Sequence, residues 1–253
     1  MLILGRGPSA RALRAAVRGL PWGTTTAAPR YEPAVCWGKA LETFSRHNQE
    51  GRPVLNRRII FDKLEQLQRF FYQGILAPDF LFLEDQDPMP VYTSQWLARR
   101  RFHQRGHDIH GPYNTERMRE ILQQGRADYG VQLIEKTKEW RVHVFRGEVL
   151  RIARKVWVGA GDIPTHPVWN QERGWHYRYQ VDLADTTRRN LEGLAKRAVV
   201  ALGQDFGAVD IIRDCRKNYY VLEVNSAPGI IANPNTLAAY AEALKKWGES
   251  VEN

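Results

Sequence analysis

Asp210, Glu223 and Asn225 are the residues whose types and spacing point most directly to chemistry. They fall in two apolar, β-branched stretches, FGAVDIIRD and YYVLEVN, joined by a short polar segment around Arg216-Lys217. The pattern predicts an antiparallel hairpin with strands over residues 208–213 and 219–224. Folding about Arg216-Lys217 sets Asp210 opposite Glu223. Side chains two apart share a face, so Asn225 points with Glu223. Three oxygen donors then converge on one sheet surface, with no His or Cys among them. That donor chemistry suits Mg²⁺, and Mn²⁺ as a substitute. Ile211, Leu222 and Val224 form the opposite, apolar face, which is expected to pack on a helix. Pro228-Gly229 ends the second strand just past the last donor. The competing reading of the same residues is an exposed sheet face with scattered polar side chains.

Several elements must position this hairpin. Residues 1–4 read as a short strand, Gly5-Arg6-Gly7-Pro8 as a turn, and Ser9 as the cap of a helix over 10–18. This unit is Rossmann-like but lacks a full GxGxxG. A short strand is expected at 34–37. Residues 61–72 have helical periodicity, with Phe61, Leu64, Leu67 and Phe71 on one face and Gly74 as the stop. Short strands follow near 80–83 and 93–98, then a basic, His-rich loop over 99–111 and a helix over 115–123. From Tyr129 the period switches to two, predicting strands at 129–134, 139–145 and 149–158 with a turn at Arg146-Gly147. THPVWNQERGWHYRY reads as a loop, 185–202 and 234–247 as helices. The sum is an α+β chain with antiparallel hairpins concentrated in its second half.

Composition sets bounds. The chain has 253 residues, 43% hydrophobic and 26% charged, which is globular rather than disordered. No apolar run approaches a membrane span, and the basic stretch follows the apolar one at the N-terminus, the reverse of an export signal. Two cysteines, Cys36 and Cys215, suit a reducing cytoplasm without a disulfide framework. A net charge of +9 fits either simple solubility or a polyanionic partner.

The stretch AVDII followed by EVNSAPG resembles the metal strands of the ATP-grasp superfamily, in which an Asp precedes E-x-N-x-x-P-G on the neighbouring strand. The closest flavour is the glutamate-ligase and glutathione-synthetase branch with its small phage and bacterial members. The resemblance spans residues 59 to 247 or so. It implies two α+β subdomains clasping ATP, over 59–128 and 129–253, behind a short Rossmann-like region at 1–58. It also implies roles for single residues. Lys63, early in FDKLEQLQRFFYQGI, matches a lysine that touches nucleotide phosphate. Arg99, in WLARRRFHQRGHDI, matches a second phosphate-binding cation ahead of a lid loop, which here keeps Gly106 but has Asp108 where a glycine is usual. Gln132, Leu133 and Ile134 match a hinge that holds adenine. Glu139 matches a ribose acceptor, Arg141 a cation near the reacting phosphate, Lys155 a further phosphate contact, and Asn170 a loop residue reaching the γ-phosphate.

The implied activity is a carboxylate–amine ligase using ATP and Mg²⁺ through an acyl phosphate. Arg141, Arg99 and Lys155 would then meet the transferring group. The partners are a carboxylate and an amine acceptor, which a polyanionic or nucleic-acid-linked molecule could supply. Two other readings stand beside it: a kinase on the same scaffold acting on a hydroxyl, and a basic nucleic-acid-binding module suggested by Arg99-Arg100-Arg101.

Overall fold

In chain order, β1 (Leu2–Leu4), α1 (Pro8–Val17), β2 (Ala34–Cys36) and β3 (Val54–Leu55) make a parallel three-stranded sheet with one helix. Then come α2 (Lys63–Tyr72), β4 (Phe80–Leu81), β5 (Trp96–Arg99), β6 (His110–Tyr113), α3 (Thr115–Gln123) and β7 (Tyr129–Gln132). These four strands pair antiparallel in the order β4-β7-β5-β6. β8 (Lys136–Phe145), β9 (Glu148–Trp157), β10 (Trp175–Arg178), α4 (Asp185–Ala201), β11 (Phe206–Asp214), β12 (Tyr219–Asn225) and α5 (Pro234–Glu252) complete the chain. Their strands form an antiparallel sheet in the order β10-β9-β8-β11-β12. This is a computed structural model, and it describes residues 1–5, 7–17, 33–39, 52–83, 95–102, 109–163 and 165–252. Among them no helix is long and apolar enough to cross a membrane.

Alternation along β8 explains how the large sheet works. Trp140, Val142 and Val144 are buried in a core shared with Leu191, Leu194, Ala195 and Ala198 of α4. Glu139, Arg141 and His143 point to the other face, as a period of two requires. One face therefore holds the sheet on its helix, and the other is left for polar chemistry.

β12 departs from that alternation. Asp210 pairs with Glu223, but Ile211 pairs with Val221, so Leu222 is an extra residue. A β-bulge of this kind sets two neighbouring residues against one on the partner strand. Val221 and Val224 are consequently the buried pair, and Leu222 lines the cleft beside Glu223. The expected apolar face of Ile211, Leu222 and Val224 is corrected to Ile211, Val221 and Val224.

α2 starts later than its apolar pattern suggests. Asp62 is its N-cap, accepting hydrogen bonds from the Leu64 and Glu65 amides at 2.9 and 3.3 Å. Leu64, Gln66, Leu67 and Phe70 are the buried side chains, whereas Phe61 and Phe71 are half exposed. The buried face is turned by Gln66, whose amide accepts from Val224 N at 2.9 Å and donates to Val224 O at 3.3 Å. β12 is an edge strand, and this side chain satisfies backbone groups that the edge would leave unpaired. Ser9 is likewise not a cap: Pro8 opens α1, a position its fixed φ suits, and the buried Ser9 hydroxyl accepts from Ile230 N at 3.2 Å.

Two boundaries also move. β7 pairs with β4 and β5, so the chain crosses to the large sheet at residues 133–135 rather than at 128/129. The segment read as a Trp/His-rich loop contains β10, a fifth strand of the large sheet, and a short 3₁₀ turn over Gln171–Arg173. β10 is only four residues long and buries a single side chain, Trp175, so its period of two is too short to stand out.

The N-terminal sheet is tied to the large one. Asn56, fully buried with φ 52°, donates its backbone N–H to Asp205 Oδ2 at 2.6 Å and its amide to Phe206 O at 2.9 Å. Its Oδ1 accepts from the Asp205 and Phe206 amides at 2.7 and 3.1 Å. Trp37, Phe206 and Tyr240 share a core with α1 and α5, so the C-terminal helix closes the N-terminal layer. Gly38 sits here with φ +67°, and a Cβ on it would meet Ala227 Cβ at 2.4 Å. Only glycine permits that approach between the N-terminal layer and the segment after β12.

Candidate functional site

The polar face of the large sheet forms the floor of a cleft of about 1940 Å³. Its side chains lie in three rows running across the strands. The row nearest residues 133–135 contains Glu139, Lys155 and Tyr177, since Tyr177 pairs with Lys155 and Ile212 with Glu139. The middle row runs Ala153, Arg141, Asp210 and Glu223. The last row runs Arg151, His143, Ala208 and Asn225.

Each carboxylate of the first two rows holds a basic partner. Glu139 takes Lys136 at 2.6 Å on one oxygen and Lys155 on the other. Burial alone would raise the Glu139 carboxyl, but the two ammoniums hold it below the usual glutamate value. Burial lowers Lys136 despite this partner. Arg141 grips Asp210 through Nε and Nη2, both at 2.7 Å. Glu223 pairs with Lys63. Burial would raise the Glu223 carboxyl too, yet Lys63, Arg99 and Arg141 together hold it well below the ordinary range. Asn225 Nδ2 reaches Glu223 Oε1 at 3.1 Å and Asp210 Oδ2 at 3.4 Å. The hairpin thus brings Asp210, Glu223 and Asn225 together as their spacing predicts.

The donor set fits a hard divalent cation. It consists of two carboxylates and one amide oxygen on adjacent strands, with no nitrogen or sulfur donor. Among the described residues no three Asp, Glu, His or Cys side chains form a metal-binding group, so the third protein donor beside Asp210 and Glu223 would be Asn225.

The other expected residues separate into three kinds. Arg99 and Lys63 line the cleft. Arg100 and Arg101 do not compete with Arg99 for it, since they pair with Asp128 at 2.8 Å and Asp62 at 2.6 Å. Gln132, Leu133 and Ile134 line the far end. Gln132 is engaged there with Asp79, and the Leu133 N–H donates to Gln95 O at 3.0 Å. The Leu133 amide is thus already engaged within the protein. Asn170 lines the cleft as the cap of the 3₁₀ turn, its Oδ1 accepting from Arg173 N at 3.1 Å. Gly106 and Asp108 of the expected lid lie outside the described residues.

No protein-family model matches the sequence. The architecture is similar to that of the ATP-grasp ligase PsnB complexed with minimal precursor, Mg and ADP, with a TM-score of 0.67 at 13% identity, over 98% of this chain and 96% of that one. It is similar to D-alanine–D-alanine ligase from Bacillus anthracis complexed with ATP, with a TM-score of 0.64 at 15% identity, over 99% and 97%. A third likeness, to an L-amino acid ligase from Bacillus licheniformis, has a TM-score of 0.54 at 17% identity and spans 81% of this chain and 52% of that one.

The fold is the ATP-grasp fold. Two cleft residues, Tyr177 and Arg151, and one that braces a cleft residue, Lys136, escaped the sequence reading. Tyr177 lies under two cations, with its ring 4.5 Å from the Arg141 guanidinium carbon and 5.0 Å from Lys155 Nζ. Its hydroxyl donates to Asp210 Oδ1 at 3.3 Å. Lys136 braces Glu139 and lies over Trp169, 4.7 Å from the ring centre. Arg151 lines the last row. Tyr177 and Tyr179 alternate with Trp175 in WHYRY, a strand signal confined to a few residues.

Proposed function

We propose that this chain is an ATP-dependent, ADP-forming carboxylate–amine ligase. The observation that carries the reading is the middle row together with Asn225 beside it. Two carboxylates and an amide suited to Mg²⁺ stand among Lys63, Arg99 and Arg141, in a cleft of the ATP-grasp fold. Phosphoryl transfer needs little covalent help from protein. It needs positioning and neutralisation of charge on the phosphate oxygens.

In the proposed reaction a carboxylate oxygen attacks the γ-phosphorus, the bond to the β–γ bridging oxygen breaks, and ADP departs. The amine nitrogen then attacks the acyl carbon of the resulting acyl phosphate. Phosphate leaves with the bonding pair, the nitrogen loses a proton, and an amide remains. Lys63, Arg99 and Arg141 absorb charge around the transferring group, while Lys155 orients the nucleotide beside Glu139. Asp210, Glu223 and Asn225 would hold Mg²⁺, which supplies Lewis-acid neutralisation of phosphate charge. No protein nucleophile is needed. Cys36 is buried, its thiol pushed up to about 11 by desolvation, and Cys215 is exposed away from the cleft.

The adenine end is assigned to the backbone at Leu133–Ile134, with Gln132 shaping the wall.

The test is ADP release with pooled amino acids, peptides and amines, followed by mass spectrometry. A product whose mass is that of acid plus amine less one water, lost together with ADP formation in Glu223→Ala, supports the ligase. A stable phosphorylated product makes the protein a kinase instead.

A further inference from the structure

The last row of the cleft floor is unlike the other two. Glu139 and Lys155 balance each other in the first row, and Asp210 and Glu223 are balanced by Arg141 and Lys63 in the second. The last row holds Arg151, His143, Ala208 and Asn225. Ala208 and Asn225 carry no charge. His143 is fully buried against Tyr240, whose hydroxyl is 3.2 Å from Nδ1, and desolvation first, then Arg141, depresses its imidazole to about 3. It is neutral at ordinary pH. Arg151 is therefore the one charge of its row, and no carboxylate among the described residues pairs with it.

Its position gives that charge a meaning. Arg151 is opposite His143, two residues from Ala153, which is opposite Arg141. Arg141 and Arg151 are thus diagonal neighbours across β8 and β9, with Cα atoms roughly 7–8 Å apart. The nucleotide end lies in the other direction, past Lys155 toward Leu133–Ile134. A molecule reacting at the middle row extends over Arg151 on the side away from the nucleotide. The cleft as a whole has seven basic against four acidic lining side chains, so it favours an anion there.

We propose that Arg151 is a specificity residue that binds a second carboxylate of the acid substrate, so that the preferred substrate is a dicarboxylate. This deepens the ligase reading and rests on it. One carboxylate stands at the middle row, where it meets the γ-phosphate. The other pairs with the Arg151 guanidinium, whose planar fork suits bidentate carboxylate recognition.

The test separates this from the fate of the ligase reading by measuring binding without turnover. Glutarate and its monoamide have nearly the same shape and differ by one charge. Calorimetric titration of both into the ADP- and Mg²⁺-saturated protein should show glutarate binding at least about ten-fold tighter, the size of one charge-assisted hydrogen-bond pair. Arg151→Gln should abolish that preference, Arg151→Lys should keep part of it, and ADP affinity should be unchanged in both. Equal affinities for the two ligands in the unsubstituted protein overturn the proposal, as does a preference that survives in Arg151→Gln. In the turnover assay, substrates with one carboxylate should be insensitive to Arg151→Gln while dicarboxylates lose kcat/KM mainly through KM. Absence of ADP release with every acid would sink the ligase reading and leave the binding result to stand alone.

Discussion

Arg141 and Asp210 face each other across β8 and β11 as a bidentate ion pair, with both N–O distances at 2.7 Å. The carboxylate proposed as a metal ligand is thereby oriented by the protein itself. Burial would lower Arg141, but Asp210 and neighbouring groups raise it well above the usual arginine value. The guanidinium stays charged beside the proposed metal ligand. Asp210→Ala removes one partner of a pair whose side chains are only 19% and 9% exposed. Losing one member of such a pair costs about 3–5 kcal/mol, because the other charge is left buried. Urea unfolding should show that loss, while Asp210→Asn, which keeps shape and some hydrogen bonding, should lose less.

Glu139 braces two lysines, Lys136 and Lys155, and Lys155 is the one proposed to orient the nucleotide. Lys155→Met should weaken ADP binding at least about ten-fold, the loss expected for one charge-assisted contact to phosphate. In a double-mutant cycle on stability, Glu139→Gln and Lys155→Met should be coupled by more than about 1 kcal/mol. Additive effects would mean that the pair is not an energetic unit.

His143 makes a pH prediction whose sign is fixed. Its folded-state value of about 3 is below the ordinary histidine value of 6.5, so below pH 6.5 the unfolded chain binds a proton that the folded one refuses. Stability should fall as pH drops from 6.5 toward 3, by up to roughly 1.4 kcal/mol per pH unit from this group. His143→Gln should flatten the curve in that window. An unchanged slope would contradict the buried neutral imidazole.

Asn56 should matter to stability but not to ligand binding. Asn56→Ala strips acceptors from the Asp205 and Phe206 amides and places a Cβ-bearing residue with no polar side chain at φ 52°. A loss of roughly 2 kcal/mol or more is expected, read as a Tm several degrees lower. ADP affinity should be unaltered, because Asn56 is not among the residues lining the cleft.

The sequence made some of this legible because the signals were local. Asp210 opposite Glu223 follows from hairpin symmetry, and α3 was expected over the residues it occupies, with Asn114 capping it. The strands from β7 onward, β10 excepted, follow from their period of two. What escaped needed tertiary information. The Leu222 bulge shifts pairing by one residue without any glycine or proline to announce it. Phe70 rather than Phe71 is buried because Gln66 reaches the edge of β12, a contact 158 residues away in sequence. Tyr177 and Arg151 acquire meaning only when β10 and β9 are laid beside β8. Lys136 acquires its place only because Glu139 stands between it and Lys155.

The central claim is that the chain activates a carboxylate by phosphorylation and passes it to an amine. It is tested most directly by isotope transfer. The acid identified by the turnover screen is prepared with heavy oxygen in its carboxylate and incubated with ATP, Mg²⁺ and the amine. Mass spectrometry of the released inorganic phosphate should then find one heavy oxygen per phosphate, carried over from the carboxylate through the acyl phosphate. Phosphate containing only ordinary oxygen, formed in step with the amide, would contradict the account.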